Sequence, residues 1–361
     1  MVRTPKIFIV SLILILLIGA CAPASSTPTA ETVGSQADLG GIKTYLLSKI
    51  GELKSSSTDL KSASDKYYEL AKVNNFDYAS LWKNNSTEAS KALLDAKSAW
   101  LAASPFYEQV EGIVAGVPSL AEYDVILDAG GSGADDPESA VPFDINLPDG
   151  RVLPKPGNLF GVLETTLWGT NTEYIIADMD ADLNANGTLD FGEALPDANV
   201  LKGTADLLDS YVTELDTAAQ AWEPTESDAF TALVVMVPTM SEYFESWKNS
   251  RFVAGEASTQ SDFVAISRLS DIQDILSSLQ VVYTGIKPLI VTLNTDQAAQ
   301  IENDLGSLKS FVADVYQQEQ DGKQYTAEEA DQLGAEAQNR ATAIAGQISQ
   351  VAASLGIAIE E

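Results

Sequence analysis

Apolar residues recur at helical spacing through most of this chain, and a chain with that periodicity buries itself by packing helix faces together. Ile42, Tyr45, Leu46, Ile50 and Leu53 share one face, and Tyr67, Tyr68, Leu70 and Ala71 continue the pattern beyond a serine-rich patch. A second long helix is expected from about residue 78 into the 110s. It would turn Leu81, Ala89, Leu93, Leu94, Ala96, Trp100, Leu101, Tyr107, Val110 and Val114 inward, with Pro105 kinking or dividing it. Residues 117–156 are rich in Pro, Gly and Asp and read as a long excursion with little helix. Helices resume at roughly 198–221, 226–248, 260–285, 295–320 and 326–354. Thr225 with Asp228, and Thr326 with Glu329, have the spacing of capping boxes. Alternating strand patterns are almost absent. The expected fold is therefore all-α, with two packed helical bundles, about 42–176 and 194–357, joined by a central stretch.

The chemistry open to such a fold is narrowed by what the chain lacks. There is no histidine among the 361 residues. A Ser-His-Asp triad, a Cys-His pair and an H-E-x-x-H zinc site are all excluded, and no imidazole switches near neutral pH. The 52 acidic residues outnumber the 21 basic ones, for a formal charge of −31, so a phosphate backbone would be repelled and nucleic acid is not an expected partner. Cations and basic surfaces fit that charge better.

The single cysteine forbids an internal disulfide and falls at a telling place. Arg3 and Lys6 precede the apolar run IFIVSLILILLIGA, which is shorter than a comfortable membrane span and ends at Ile18-Gly19-Ala20-Cys21. This resembles a bacterial lipoprotein signal. The resemblance implies cleavage after residues 1–20 and lipid attachment at Cys21, so that the membrane is a partner through the anchor and the protein lies in the cell envelope, facing periplasm or exterior. Residues 21–41 are small, polar and punctuated by Pro and Gly, and read as a flexible tether.

The central stretch contains a twelve-residue pattern with a specific spacing of oxygens. In DLNANGTLDFGE, residues 182–193, Asp182, Asn184, Asn186, Thr188, Asp190 and Glu193 stand at the ligand positions of an EF-hand calcium loop, and Gly187 stands at its sharp turn. A hard cation needs six to eight oxygens from one short loop, and this spacing supplies them: side chains from Asp182, Asn184 and Asn186, the Thr188 carbonyl, a water-mediated contact from Asp190, and two oxygens from Glu193 at the start of the next helix. The alternative is an acidic turn that binds nothing. With one loop and two neutral Asn ligands, the expectation is structural Ca²⁺ at modest affinity.

Just upstream, FGVLETTLWG, residues 160–169, resembles the signature helix of the imelysin/EfeO family of bacterial envelope proteins, which reads roughly G-F-H-x-I-E-x-x-L-W-G. Phe160, Glu164, Leu167, Trp168 and Gly169 stand in matching places. Phe106-Tyr107-Glu108-Gln109-Val110-Glu111 is similar to the family's Y-E-x-I-E segment, and the run from Tyr123 to Asp128 to its L-D-x-x-x-D segment. The resemblance spans about residues 42–357. It implies a two-bundle fold and, for the EfeO branch, a metal-binding component of iron uptake working beside an iron permease and a haem peroxidase. The cupredoxin domain of full-length EfeO proteins is not visible here, and the motif histidine is replaced by Gly161. What the resemblance leaves as a metal site is Glu108, Glu111, Asp124, Asp128 and Glu164, an oxygen-only set suited to Fe³⁺, Mn²⁺ or Ca²⁺ above Cu²⁺ and Zn²⁺. Such acidic pairs also arise on solvated helix faces.

Three readings follow: a lipid-anchored metal-binding protein, an interaction or scaffold protein that keeps the fold without the metal, and a peptidase, the label the family has carried. The third ranks last because catalytic zinc sites usually include histidine, and the protein is expected not to be an enzyme. Mass spectrometry of the mature N-terminus is expected to find acyl chains on Cys21; an unmodified N-terminus beyond Cys21 would overturn the anchor.

Overall fold

The computed structural model describes residues 36–134 and 136–360. Cys21, the expected signal segment and most of the expected tether lie outside the described residues. Where the tether was expected to continue to residue 41, Asp38 already caps a helix by accepting the Gly41 N–H at 2.9 Å. That helix, α1 (Leu39–Val73), is continuous through the serine-rich patch. Ser56, Ser57 and Ser64 are buried there with the apolar residues, because they satisfy their hydroxyls on carbonyls of the same helix.

Helix α2 (Tyr78–Val114) runs through Pro105 without dividing. Pro105 lies on the same side as exposed Leu101, so the carbonyl that loses its amide partner is on the solvent side of the helix. The non-helical residue inside α2 is Asn85 (φ −138°, ψ 27°), whose side chain accepts from Asn74. Leu94 and Leu101, expected inward, are each 41% exposed, while the rest of the expected face is buried.

The excursion after α2 holds a short helix α3 (Ala121–Asp124), a π turn (Val125–Ala129), and a ribbon of β1 (Asp144–Asn146) and β2 (Val152–Pro154). Helix α4 (Leu159–Trp168) follows, capped by Asn158 and closed by Gly169 at φ +72°. A second antiparallel ribbon pairs β3 (Ile175–Asp180) with β4 (Ala194–Pro196), and residues 182–193 form its connection.

Helix α5 (Ala198–Ala221) packs along α1 and α4. Lys54 pairs with Asp216 at 2.7 Å and Lys61 with Asp206 at 3.0 Å. The expected boundary near residue 194 therefore does not follow the packing, because α5 belongs with the N-terminal set. The C-terminal set is α6 (Glu226–Met236), α7 (Met240–Asn249), the short α8 (Arg251–Ala254), α9 (Arg268–Leu293), α10 (Thr295–Gln320) and α11 (Ala327–Leu355). Both expected capping boxes form, at Thr225/Asp228 and Thr326/Glu329.

Two helices differ from expectation for local reasons. The helix expected over 226–248 is broken by a 3₁₀ turn around Pro238, which has no N–H to continue the ladder. The helix expected from 260 begins only at Arg268, where Ser267 caps it. Helix α9 packs against α2 and α10, and the face it lends to α2 carries charge into the core.

Candidate functional site

Helix α2 places Glu108 and Glu111 one turn apart on its inward face, at 2% and 3% exposure. Asp124 closes α3, and the π turn brings Asp128 to the same interior, with both side chains buried. One carboxylate oxygen each from Glu108, Glu111 and Asp128 lies within 4.8 Å of the others. Two tyrosines support the group. Tyr107 donates to Asp124 at 2.7 Å, and Tyr243 of α7 donates to Oε1 of Glu111 at 2.7 Å. Oε2 of Glu111 is buried with no hydrogen-bond partner among the described residues.

The first turn of α9 adds two groups that the reading of motifs overlooks. Nη1 of Arg268 lies 3.3 Å from Glu108 and 3.2 Å from Asp271, and Nη2 lies 3.4 Å from Asp128. The guanidinium lies over the rings of Tyr243 and Phe263, 4.8 and 4.3 Å from their centroids. A signal for the pair is present in Arg268-Leu269-Ser270-Asp271-Ile272, where two charges three residues apart fall on the face of Ile272, Ile275 and Leu279, all buried.

Glu164 was expected to converge with the other four carboxylates, and the structure gives it a different set of partners. Its oxygens accept the backbone N–H groups of Phe263 (2.6 Å), Val264 (2.9 Å) and Ala265 (2.8 Å). These amides therefore face a carboxylate from α4 in a segment expected to be helical. Glu164 nonetheless lines the same small cavity as Glu108, Asp128, Asp262 and Asp271, a space of about 10 Å³ with room for a single water-sized occupant. A polar vestibule of about 330 Å³ adjoins it, and the two share Asn158, Gly161 and Asp262. Of the five expected residues, then, three converge tightly, Asp124 stands behind Tyr107, and Glu164 turns to the 263–265 backbone.

The electrostatics follow from enclosure. Three buried carboxyl groups, those of Glu108, Asp128 and Asp271, share one guanidinium, and those of Glu111 and Asp124 are buried with tyrosine hydroxyls as donors. Burial, reinforced by neighbouring carboxylates, raises Glu108 and Asp124 well above the usual carboxylate range. Asp128 is pushed up to about 6 and Asp271 to about 7, in both cases by burial against the pull of Arg268. Glu164 is pushed up to about 8 by burial, against three amides that favour its ionised form. A group of this kind holds protons or a cation at neutral pH. Its donors are all oxygens, which suit hard ions.

The twelve-residue loop forms a separate oxygen cluster on the surface. Gly187 turns at φ +86°, as the spacing requires. Asp182 accepts the N–H groups of Asn186 and Gly187, at 3.1 and 2.8 Å, and Asn184 accepts that of Asn186 at 2.9 Å. Strands, and not the two helices of an EF-hand, flank the loop, so Glu193 does not open a helix as expected. Its oxygens accept the N–H groups of Leu183, Asn184 and Asp190. Leu189 is 54% exposed, with no second loop to cover it among the described residues. Lys97 of α2 donates to the Gly192 carbonyl and lies 5.3 Å from the Trp168 ring, which fastens the loop to the N-terminal set.

The family model described as Imelysin, under the label peptidase M75, matches residues 46–351. No curated protein matches the chain significantly.

The raised carboxyl groups make stability depend on pH in a defined direction. The native state keeps protons that the unfolded chain has already released near pH 4, so their contribution is complete below that value and is lost as pH rises through about 6, 7 and 8. In chelator, the melting temperature is expected to fall across this window. Asp271→Asn should flatten the fall near pH 7, and an unchanged profile in that variant would refute the assignment.

Proposed function

The chain belongs to the imelysin family, and on that premise we propose that it is a cell-envelope protein, anchored by lipid at Cys21, that binds a hard metal cation through its buried carboxylates. Its role would be that of an accessory in the uptake of iron or another metal ion, beside a permease or peroxidase of such a system. The observation that carries this reading is the convergence of Glu108, Glu111 and Asp128 within 4.8 Å, with one Glu111 oxygen left without a partner among the described residues. Leaving a buried carboxylate oxygen unsatisfied is unfavourable, and a cation bonded to it relieves both that penalty and the repulsion among its neighbours. The absence of imidazole and of a second thiol favours Fe³⁺, Mn²⁺ or Ca²⁺ over Cu²⁺ and Zn²⁺. The family label includes peptidase, but with no histidine in the chain we read the site as one of binding and not of hydrolysis.

A second reading has one observation in its favour. Arg268 is already a buried counterion to three of the carboxylates, as it would be in a scaffold that keeps the fold without the metal. Its contacts of 3.2–3.4 Å are longer than the roughly 2.7–2.9 Å of a tight charge-assisted bond, and they leave Oε2 of Glu111 without a partner among the described residues. We therefore favour the cation.

Calorimetric titration with Mn²⁺ or Fe³⁺ tests the choice. Binding is expected to release protons and to tighten as pH rises from about 6 to 8, because the ligands must ionise. Glu111→Gln should weaken it by about tenfold or more. Equal heats in wild type and variant would leave the scaffold as the better reading.

For residues 182–193 we propose a structural Ca²⁺ site, supported by the oxygen spacing and the turn at Gly187. At millimolar Ca²⁺ and an affinity of about 10⁻⁴ to 10⁻³ M, the ion would stabilise the fold by roughly 1 kcal/mol. Chelation should lower the melting temperature correspondingly, and Glu193→Gln should abolish the difference. Identical melting with and without chelator in the parent chain would rule the ion out.

A further inference from the structure

We propose that Asp262 is a ligand of the cation held by the buried carboxylates, and that Glu164 is the positioning residue that presents it and not itself a ligand. This deepens the cation-binding reading above and rests on it. Asp262 belongs to the segment between α8 and α9 and, among the described residues, is the one carboxylate shared by the inner cavity and the vestibule. On the inner side it faces a space for one water-sized occupant, lined also by Glu108, Asp128 and Asp271. Glu111, whose Oε2 has no partner among the described residues, does not line this space but brings one carboxylate oxygen within 4.8 Å of oxygens of Glu108 and Asp128, which do. A cation seated there would meet Asp262 from the vestibule side and the helix-borne carboxylates from the other.

The position of Asp262 depends on a missing side chain. A Cβ at Gly161 would stand 3.3 Å from Oδ2 of Asp262 and 3.1 Å from Oδ1 of Asn158, the cap of α4. Both contacts are tighter than ordinary van der Waals packing, so even a methyl group there would require the two oxygens to give way slightly. With glycine there, the carboxylate reaches the wall of the cavity.

The segment is also held in an unusual conformation. Phe263 has φ +51°, a left-handed geometry that is uncommon for an aromatic residue and persists only where surrounding contacts enforce it. Those contacts are the three hydrogen bonds from Phe263, Val264 and Ala265 to Glu164, together with the Phe263 ring on the Arg268 guanidinium. Buried at 2% exposure and bonded to three amides of a segment whose Phe263 ring packs on Arg268, Glu164 turns to an ion only by releasing that segment. What it does is hold the turn that sets Asp262 beside the cavity.

The test uses the full chain carrying Glu193→Gln, so that the surface loop does not contribute, and Mn²⁺ as the probe. Binding is followed by the electron paramagnetic resonance of free Mn²⁺, and the water on the bound ion by solvent proton relaxation. Asp262→Asn and Asp262→Ala should each weaken binding by about tenfold or more, and each should raise the relaxation per bound ion, because water replaces the lost carboxylate. Glu164→Gln should weaken binding by about 10–100-fold, as removal of an orienting partner does. Relaxation in this variant should also rise toward that of the Asp262 variants, a change that general loosening of the fold would not produce. If the Asp262 variants bind as the parent does while Glu111→Gln loses binding, Asp262 is not a ligand and the cation site stands without it. If the parent binds no Mn²⁺, the cation-binding reading falls and takes the assignment with it. Thermal melts identify a variant that fails to fold, and the second Asp262 substitution then decides.

Discussion

Arg268 joins the two halves of this molecule at the point where burial of charge is most demanding. From the first turn of α9 it reaches Glu108 on α2, Asp128 on the π turn and Asp271 on its own helix, and it lies over two aromatic rings. Removing a guanidinium from such a group would leave carboxylates buried without a counterion, a loss of about 3–5 kcal/mol in comparable cases. Replacing the whole group with apolar residues would carry no such penalty. A buried set of carboxylates around one guanidinium is therefore not the arrangement that stability alone would favour.

The surrounding architecture can be understood as support for that interior. Helices α1, α2, α4 and α5 pack into one set and α6 to α11 into another, with α2 and α9 in contact where the carboxylates meet. The π turn widens the backbone at Val125–Ala129, with the Gly130 N–H donating to the Val125 carbonyl, and so places Asp128 beside the α2 acids. Tyrosines from both sets, Tyr107 and Tyr243, donate into the group. The segment before α9 forgoes helix and uses its amides on Glu164. Each departure from regular secondary structure near the centre thus supplies or orients a polar group.

The loop at residues 182–193 stands apart from this interior yet is fastened to the same scaffold. Lys97 holds the Gly192 carbonyl and lies against Trp168, and Trp168 packs edge-on to Trp100 with ring centroids 5.1 Å apart. Trp100 and Phe160 line the inner cavity. The loop and the cavity are therefore neighbours through a continuous aromatic contact.

Much of the helical frame was legible in the sequence because helix formation and capping are local. The apolar periodicity marks α1, α2, α5, α10 and α11, and the Thr225 and Thr326 caps form as their spacing requires. The pairing of Glu108 with Glu111 on one face, and the turn at Gly187, are local in the same sense. Other features come from groups distant in the chain, and only the tertiary structure decides them. Arg268 meets Glu108 across 160 residues, Glu164 takes amides about 100 residues away, and α5 packs with the N-terminal helices. Strands take the place of the flanking helices of an EF-hand because residues 175–180 and 194–196 pair with each other. Whether a carboxylate is a solvated surface charge or a buried ligand depends on its distance from other charges and from water. Neither distance is encoded in spacing along the chain, and folding alone sets both.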